Sequence, residues 1–177
     1  MRWGFPLSKI RLENGRKTVV IGIGELDVVK PPDQITTLGL GSCCGVVMYD
    51  KLTKVGGMIH VMLPTVSSAA GGTLNKGKFA DSGIMLLLEA MLKNGARRSG
   101  LTAKLAGGAS MFAAGASQSD LLKVGERNVA VCKDMLRKLN IPLLSSDVLG
   151  SHGRTIIFDP ATGILHIKTV GKGERDI

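Results

Sequence analysis

The chain has 177 residues, a length that predicts a single domain with a sizeable core that needs no metal ion or disulfide to fold. Its composition, 44% hydrophobic and 21% charged, excludes a disordered chain, a collagen and a coiled coil. Glycine is enriched, at 24 residues, whereas aromatic residues make up only 3%. We therefore expect a globular domain shaped by tight turns and unusual backbone geometry.

The net charge of +9 is compatible with nucleic acid or with an acidic protein as partner. Much of the charge lies in residues 1–17, and the remainder lacks the interleaved aromatic residues that single-strand binding surfaces use for stacking. We favour an acidic protein and expect no nucleic acid, with binding through the basic arm as the alternative. Without an apolar stretch of ~20 residues, a secretory signal or a disulfide framework, we expect a cytoplasmic protein with no membrane insertion.

Hydrophobic runs separated by turn residues predict the first elements. Five short strands are expected, at residues 18–21, 26–30, 35–40, 46–49 and 56–63. The last two should form a hairpin around a polar turn. A long loop over residues 65–78 then leads to a helix that Asp81 or Ser82 caps and Gly95 terminates, with its apolar residues on one face.

The second half alternates in the same way. A strand over residues 103–106 precedes a second helix over residues 126–139, which has an apolar stripe. Three further strands follow, at residues 143–148, 155–158 and 164–170, the last two joined as a hairpin. The pattern predicts an α/β (α+β) single domain over residues 18–177, preceded by a basic extension, residues 1–17, that we expect to be disordered.

One of the three histidines differs from the others. His60 is the only polar side chain in an otherwise apolar strand. His152 lies in a glycine-flanked loop, and His166 alternates onto the same strand face as Lys168, so we expect both to face solvent. A buried imidazole needs a hydrogen-bond partner, so His60 is either a satisfied core residue or part of a site.

Cys43 favours the second interpretation. It follows a strand and lies in a glycine-flanked bend, where the backbone can turn sharply and present free amides. An ordinary thiol is only slightly ionised at neutral pH, so a nucleophilic cysteine needs a histidine beside it. Two consecutive strands separate Cys43 from His60, so the two can meet at one end of a sheet. The alternative is that Cys43 and Cys44 are small buried hydrophobic residues, a role that also suits Cys132.

Two other motifs are rejected. The segment Gly22-Ile23-Gly24 lacks the third glycine of a dinucleotide fingerprint, and two prolines follow it where a helix is required. A zinc site would need the adjacent Cys43 and Cys44 as ligands, without the usual spacing and without a second pair. We therefore expect no cofactor and no metal ion.

Five segments together carry a family resemblance: TLGLGSCCGVVMYD (37–50), VGGMIHVMLP (55–64), GKFADSGI (77–84), KLAGGASMF (104–112) and VGERNV (124–129). In order and spacing they resemble the CheD family, the chemoreceptor glutamine deamidases of bacterial and archaeal chemotaxis. The resemblance covers about residues 19–170. It implies mixed β-sheets packed against helices, similar to the catalytic domains of cytotoxic deamidase toxins.

The resemblance also implies an enzyme, a protein-glutamine glutaminase that converts glutamines in the cytoplasmic coiled coil of methyl-accepting chemotaxis receptors to glutamate through a cysteine thioester. The family's nucleophile falls on Cys43, its histidine on His60 and its threonine on Thr37. Since side chains alternate along a strand, only one of Cys43 and Cys44 can face His60. A CheC-type phosphatase is the implied partner. The alternative is a non-catalytic chemotaxis adaptor that binds receptor or phosphatase, but the three residues together favour the enzyme.

Overall fold

Two mixed β-sheets and two α-helices make up the part of the chain that the computed structural model describes, which is residues 9–13, 15–68, 74–110 and 123–177. The two sheets lie face to face, and the helices cover the outer side of one of them. The α+β class with mixed sheets packed against helices, expected from the sequence, is confirmed.

In chain order the strands are β1 (Lys9–Glu13), β2 (Arg16–Ile21), β3 (Leu26–Val29), β4 (Gln34–Leu40), β5 (Cys44–Asp50), β6 (Val55–Val61), β7 (Leu101–Gly107), β8 (Leu143–Val148), β9 (Arg154–Asp159), β10 (Ile164–Thr169) and β11 (Gly173–Asp176). The helices are α1 (Ala80–Lys93) and α2 (Val124–Lys138). In the described parts of the chain, neither helix is both long and apolar enough to cross a membrane.

Each sheet contains one parallel pair among antiparallel neighbours. The six-stranded sheet has the order β1-β2-β4-β9-β10-β11, in which β2 and β4 are parallel. The five-stranded sheet has the order β3-β6-β5-β7-β8, in which β7 and β8 are parallel. The hairpins predicted for β5 with β6 and for β9 with β10 are confirmed.

The central strands β5 and β6 are buried along their whole length because the five-stranded sheet has a layer on each side. Alternate side chains of β5 therefore enter two different cores. Val47 and Tyr49 pack between the sheets with Phe158. Val46 and Met48 pack on the other side, against the helices.

The start of helix α1 differs from the prediction. Phe79 occupies the N-cap position and provides no side-chain cap. The expectation that Asp81 or Ser82 caps the helix is wrong, because the Asp81 carboxylate lies in the first turn and accepts hydrogen bonds from the N–H groups of Val66 and Ser82. The predicted end is confirmed, since Gly95 follows the helix with φ of +92°, a conformation that favours glycine.

Strands β1 and β11 were not predicted, because neither buries an alternating face. Ile10 and Leu12 of β1 are 55% and 69% exposed, and every residue of β11 is exposed. Pairing with β2 orders residues 9–13. The structure therefore differs from the expectation of disorder for this part of the extension.

Two predictions fall partly outside the described residues. The predicted long loop contains two short 3-10 helices, Val66–Ser68 and Lys76–Lys78. Residues 69–73 of this loop and residues 1–8 of the extension lie outside the described residues. The division of the chain at residue 18 stays a prediction.

Candidate active site

Thr37 of β4 and His60 of β6 are hydrogen-bonded to each other across the layer between the two sheets. Both are buried, with 1% and 2% of their surface exposed. The Thr37 Oγ1 atom lies 2.7 Å from His60 Nδ1 and 2.8 Å from the carbonyl oxygen of Ile21. A carbonyl can only accept, so the hydroxyl donates to Ile21 and accepts from the Nδ1–H group. His60 is therefore the Nδ1-protonated tautomer, and its Nε2 atom carries the lone pair.

The Nε2 atom of His60 is buried and has no hydrogen-bond partner among the described residues. Burial lowers the pKa of this imidazole to about 4, because the charged form loses its hydration. His60 is thus a neutral base at neutral pH. A buried polar atom without a partner costs stability, and such atoms in native proteins are candidates for a catalytic role.

Cys43 directly precedes β5, on the face of the five-stranded sheet that carries His60. The register of β5 and β6 places Gly45 opposite His60. The main-chain N–H of His60 donates to the Glu25 carbonyl, and its C=O accepts from the Gly24 N–H, both on the side away from β5. His60 and Gly45 are therefore a non-hydrogen-bonded pair, the kind in which the two residues lie closer together. Side chains two residues apart share a face, so Cys43 lies on the Gly45 face, diagonally across from His60.

The two adjacent cysteines point to opposite faces of the sheet. Cys43, 9% exposed, belongs to the core between the sheets that surrounds His60. Cys44 is fully buried in the core on the helix side, where its thiol forms a hydrogen bond with Cys132 of α2. All three cysteines are free. Only Cys43 faces the layer that contains His60.

The pKa values of both neighbouring thiols are raised. Burial and then the neighbouring Cys44 raise the pKa of Cys43 to about 11, against the opposing effect of its own backbone N–H. The hydrogen bond with Cys132 and then burial raise the pKa of Cys44 well above its ordinary value. Cys43 and His60 therefore rest as a neutral thiol and a neutral base, not as an ion pair.

Three successive carbonyl groups of the bend at Cys43 bond to other parts of the protein. The Gly41 carbonyl accepts from the Ala109 N–H at 2.7 Å, and the Cys43 carbonyl accepts from the Gly108 N–H at 2.8 Å. Between them, the Ser42 carbonyl accepts from the side chain of Asn128 at 2.9 Å. In a trans peptide the N–H points opposite to the C=O. The N–H groups of Ser42 and Cys43 therefore point away from these three donors.

Glycine is required where the main chain touches this bend. Gly107 has φ of +109°, and a Cβ atom on it would lie 2.2 Å from the Cys43 carbonyl oxygen. A Cβ atom on Gly45 would lie 2.5 Å from Ile156 Cδ1 of the opposite sheet. A larger residue at Gly107 would displace the bend, and one at Gly45 would force the Ile156 side chain to shift.

The other histidines have different surroundings. His166 is exposed on β10, as predicted, and its Nδ1 atom lies 2.5 Å from Asp176 Oδ1 of β11. His152, expected to face solvent, is half-buried in the loop before β9. Across the described ranges, no group of three or more histidine, cysteine, aspartate or glutamate side chains is arranged to hold a metal ion.

Sequence reasoning missed Asn128, which is fully buried on α2 and bonds to the bend at Cys43. Its position carried a signal. Asn128 lies four residues before Cys132 and eight before Leu136, which places it on the buried stripe of the helix. A polar residue on such a stripe is a candidate for a specific hydrogen-bonding role.

A thiol and a neutral imidazole base on one face, with a threonine that fixes the imidazole tautomer, define an α+β protein with a candidate cysteine-hydrolase site. The sequence profile of the family described as CheD chemotactic sensory transduction matches residues 62–169. The chain therefore belongs to the CheD family.

Curated relatives extend the match over most of the chain. The chain is 49% identical over 161 residues to the probable chemoreceptor glutamine deamidase CheD of Syntrophomonas wolfei, which covers 91% of this chain and 99% of that protein. It is 49% identical over 159 residues to the chemoreceptor glutamine deamidase CheD of Halalkalibacterium halodurans, covering 90% and 98%. Matches of this length include Thr37, Cys43 and His60, which precede the residues matched by the profile.

Proposed function

We propose that the protein is a protein-glutamine glutaminase that converts glutamines of methyl-accepting chemotaxis receptors to glutamate. Cys43 is the nucleophile, His60 the general base and Thr37 the residue that orients His60. The observation that carries this proposal is the hydrogen bond from His60 to Thr37, which leaves Nε2, on the face of Cys43, without a partner in the part of the chain that the structure describes. The names of the curated relatives support the substrate class.

The first half of the reaction forms a thioester. The Nε2 atom of His60 takes the proton of the Cys43 thiol, and the sulfur attacks the carboxamide carbon of the glutamine. The resulting tetrahedral intermediate carries a negative oxygen. His60 returns the proton to the nitrogen, the C–N bond breaks and ammonia leaves. Because the resting pair is neutral, proton transfer accompanies the attack and no thiolate forms beforehand.

The second half consumes water. His60, neutral again, takes a proton from a water molecule whose oxygen attacks the thioester carbon. The C–S bond breaks, the Cys43 sulfur recovers its proton and a glutamate side chain leaves. One water is used and one ammonia released for each glutamine, so no redox partner or cofactor is needed.

The N–H groups of Ser42 and Cys43 are suited to hold the negative oxygen in both steps. Hydrogen bonds from Ala109, Asn128 and Gly108 fix the carbonyls of the bend and so turn these N–H groups the other way. A preorganised donor of this kind is typically worth about 3 kcal/mol in the transition state. Thr37 carries no charge, so it orients His60 without strongly stabilising the imidazolium.

The proposal extends to the protein's partners and its compartment. The substrate glutamines lie in the cytoplasmic coiled coil of the receptor, and a CheC-type phosphatase is the second partner. The family resemblance supports both. Three free cysteines support a reducing compartment, which is the cytoplasm.

The test is conversion of a receptor fragment. The purified protein is incubated with the cytoplasmic fragment of a methyl-accepting chemotaxis receptor, and intact-mass spectrometry and ammonia release report each conversion. We expect turnover by the wild type and by the matched control Cys44→Ala, and none by Cys43→Ala. Equal conversion by Cys43→Ala would show that the nucleophile is wrongly assigned. Receptor binding by the wild type without any conversion would favour the adaptor.

A further inference from the structure

Asn128 joins the two segments of chain that carry Cys43 and His60. Its side chain is fully buried, and its Nδ2 atom lies 2.9 Å from the Ser42 carbonyl oxygen and 2.9 Å from the Met62 carbonyl oxygen. Ser42 directly precedes Cys43, and Met62 follows His60 by two residues. Both partners are acceptors, so the amide nitrogen must face them and donates one hydrogen to each.

Helix α2, which carries Asn128, packs closely against the end of β7, beside Cys43. Gly125, in the first turn of α2, lies so close to Gly108 that a Cβ atom on it would be 2.6 Å from the Gly108 carbonyl oxygen. Gly108 in turn donates its N–H to the Cys43 carbonyl. This close packing holds the start of α2, and with it the amide of Asn128, in a fixed position relative to the bend.

The two polar atoms of the Asn128 side-chain amide differ in their hydrogen bonding. The Oδ1 atom of Asn128 is buried without a hydrogen-bond partner among the described residues. An apolar residue on the buried stripe of α2 would avoid this buried acceptor, but it would leave the Ser42 and Met62 carbonyls without the donor that they share. What asparagine adds is one short group that donates to two carbonyls in separate segments of the chain, the bend before β5 and the residue after β6.

We propose that Asn128 is a positioning residue, which holds the bend at Cys43 in register with the strand end after His60 so that the thiol and Nε2 stay in reacting geometry. This inference rests on the proposed function, in which that pair reacts. A displacement of about 1 Å in such a pair can cost about 100-fold in rate. Asn128 does not touch the reacting atoms, so its loss should lower kcat and leave KM nearly unchanged.

Two variants and one matched control test the proposal on the full chain. Asn128→Ala removes both hydrogen bonds, and Asn128→Asp keeps the shape while its carboxylate can donate to neither carbonyl. Leu136→Ala is the control, because Leu136 is buried two turns later on the same helix and its truncation destabilises the protein without removing a hydrogen bond to Ser42 or Met62. Denaturant unfolding gives the folded fraction, and kcat and KM are measured per folded molecule with the receptor fragment.

We expect kcat to fall about 100-fold in both Asn128 variants with KM within about threefold of wild type, while Leu136→Ala keeps kcat within about threefold. A kcat within threefold of wild type in the folded Asn128 variants, or an equal loss in Leu136→Ala, overturns the inference. Failure of both Asn128 variants to fold where Leu136→Ala folds also overturns it, in favour of a purely structural role. Full activity of Cys43→Ala would instead refute the proposed function.

Discussion

The two faces of the five-stranded sheet give two neighbouring cysteines different surroundings. On the face toward the six-stranded sheet, Cys43 shares a layer with His60. The Nδ1 atom of His60 is hydrogen-bonded to Thr37. On the face toward the helices, Cys44 packs among apolar side chains beside Cys132, and the charge of Arg154 also acts on its thiol. Burial raises the pKa of Cys43, and the hydrogen bond with Cys132 and then burial raise the pKa of Cys44, so acidity does not distinguish the two thiols. The difference lies in whether a base stands on the same face.

This contrast explains how a strand end can be both core and site. A cysteine with no base nearby behaves as a small hydrophobic residue. One residue earlier, Cys43 faces the layer of His60, whose Nε2 atom has no partner in the described ranges, and on the proposed function it is this thiol that reacts. Substitutions beside Cys43 should therefore lower kcat, whereas substitutions beside Cys44 should leave kcat nearly unchanged.

Removal of the base should give the largest effect. His60→Gln keeps a polar side chain beside Thr37 but cannot accept and return the proton of the thiol. We expect kcat to fall about 10³- to 10⁴-fold, the upper range for loss of a general base. The matched change on the other face, Cys132→Ala, should leave kcat within about threefold. Steady-state assays with the receptor fragment measure both, and a comparable loss in the two variants would contradict the contrast.

Loss of the orienting hydroxyl should come next. Thr37→Val keeps the shape but removes the acceptor for the Nδ1–H group of His60, so the imidazole no longer holds one tautomer. We expect kcat to fall about 10- to 100-fold, and Thr37→Ser, which retains the hydroxyl, to recover most of it. Wild-type kcat in Thr37→Val would show that sheet packing alone orients His60.

Truncation on the helix side should affect stability more than catalysis. Cys44→Ala removes a fully buried thiol and its hydrogen bond with Cys132, so we expect a loss of about 1–2 kcal/mol in the free energy of unfolding. Its kcat should stay within about threefold of wild type. Denaturant unfolding and the receptor assay report the two quantities. Folded but inactive Cys44→Ala would mean that the helix-side thiol takes part in the reaction.

The pH profile should show the smallest change. His60, with a pKa of about 4, stays neutral from about pH 5.5 to pH 8, and Cys43, with a pKa of about 11, stays protonated there. We expect kcat/KM to vary by less than about threefold over this range, and to fall only as more acidic conditions protonate His60. A decline of about tenfold toward pH 5.5, centred near the ordinary imidazole value of about 6.5, would contradict a buried neutral base.

Elements with a buried face were predictable, and those without one were not. Helix α2 and the hairpin of β5 and β6 follow from apolar periodicity, which reports packing directly. Strands β1 and β11 bury no alternating face, so only pairing with a neighbouring strand reveals them. The cap of α1 was misassigned because Asp81 bonds to the N–H of Val66, fifteen residues earlier, and local spacing does not encode that contact.

For the site, composition and spacing pointed to Cys43 and His60, but Thr37 came from the family resemblance. Its bond to His60 depends on how the two sheets face each other, which local pattern does not specify. Asn128 lay within a motif that carried the resemblance, yet no role followed from the sequence. That role depends on Ser42 and Met62, which approach each other only in the folded chain.

The central claim is that Cys43 forms the thioester, and the most direct measurement is to locate that bond. Wild-type protein is quenched with acid during turnover of the receptor fragment, and the covalent adduct is mapped by proteolysis and mass spectrometry. We expect a thioester between the receptor acyl carbon and the Cys43 sulfur, formed with loss of one ammonia, present in Cys44→Ala and absent from Cys43→Ala. An adduct on Cys44, or undiminished conversion by Cys43→Ala, would contradict the claim.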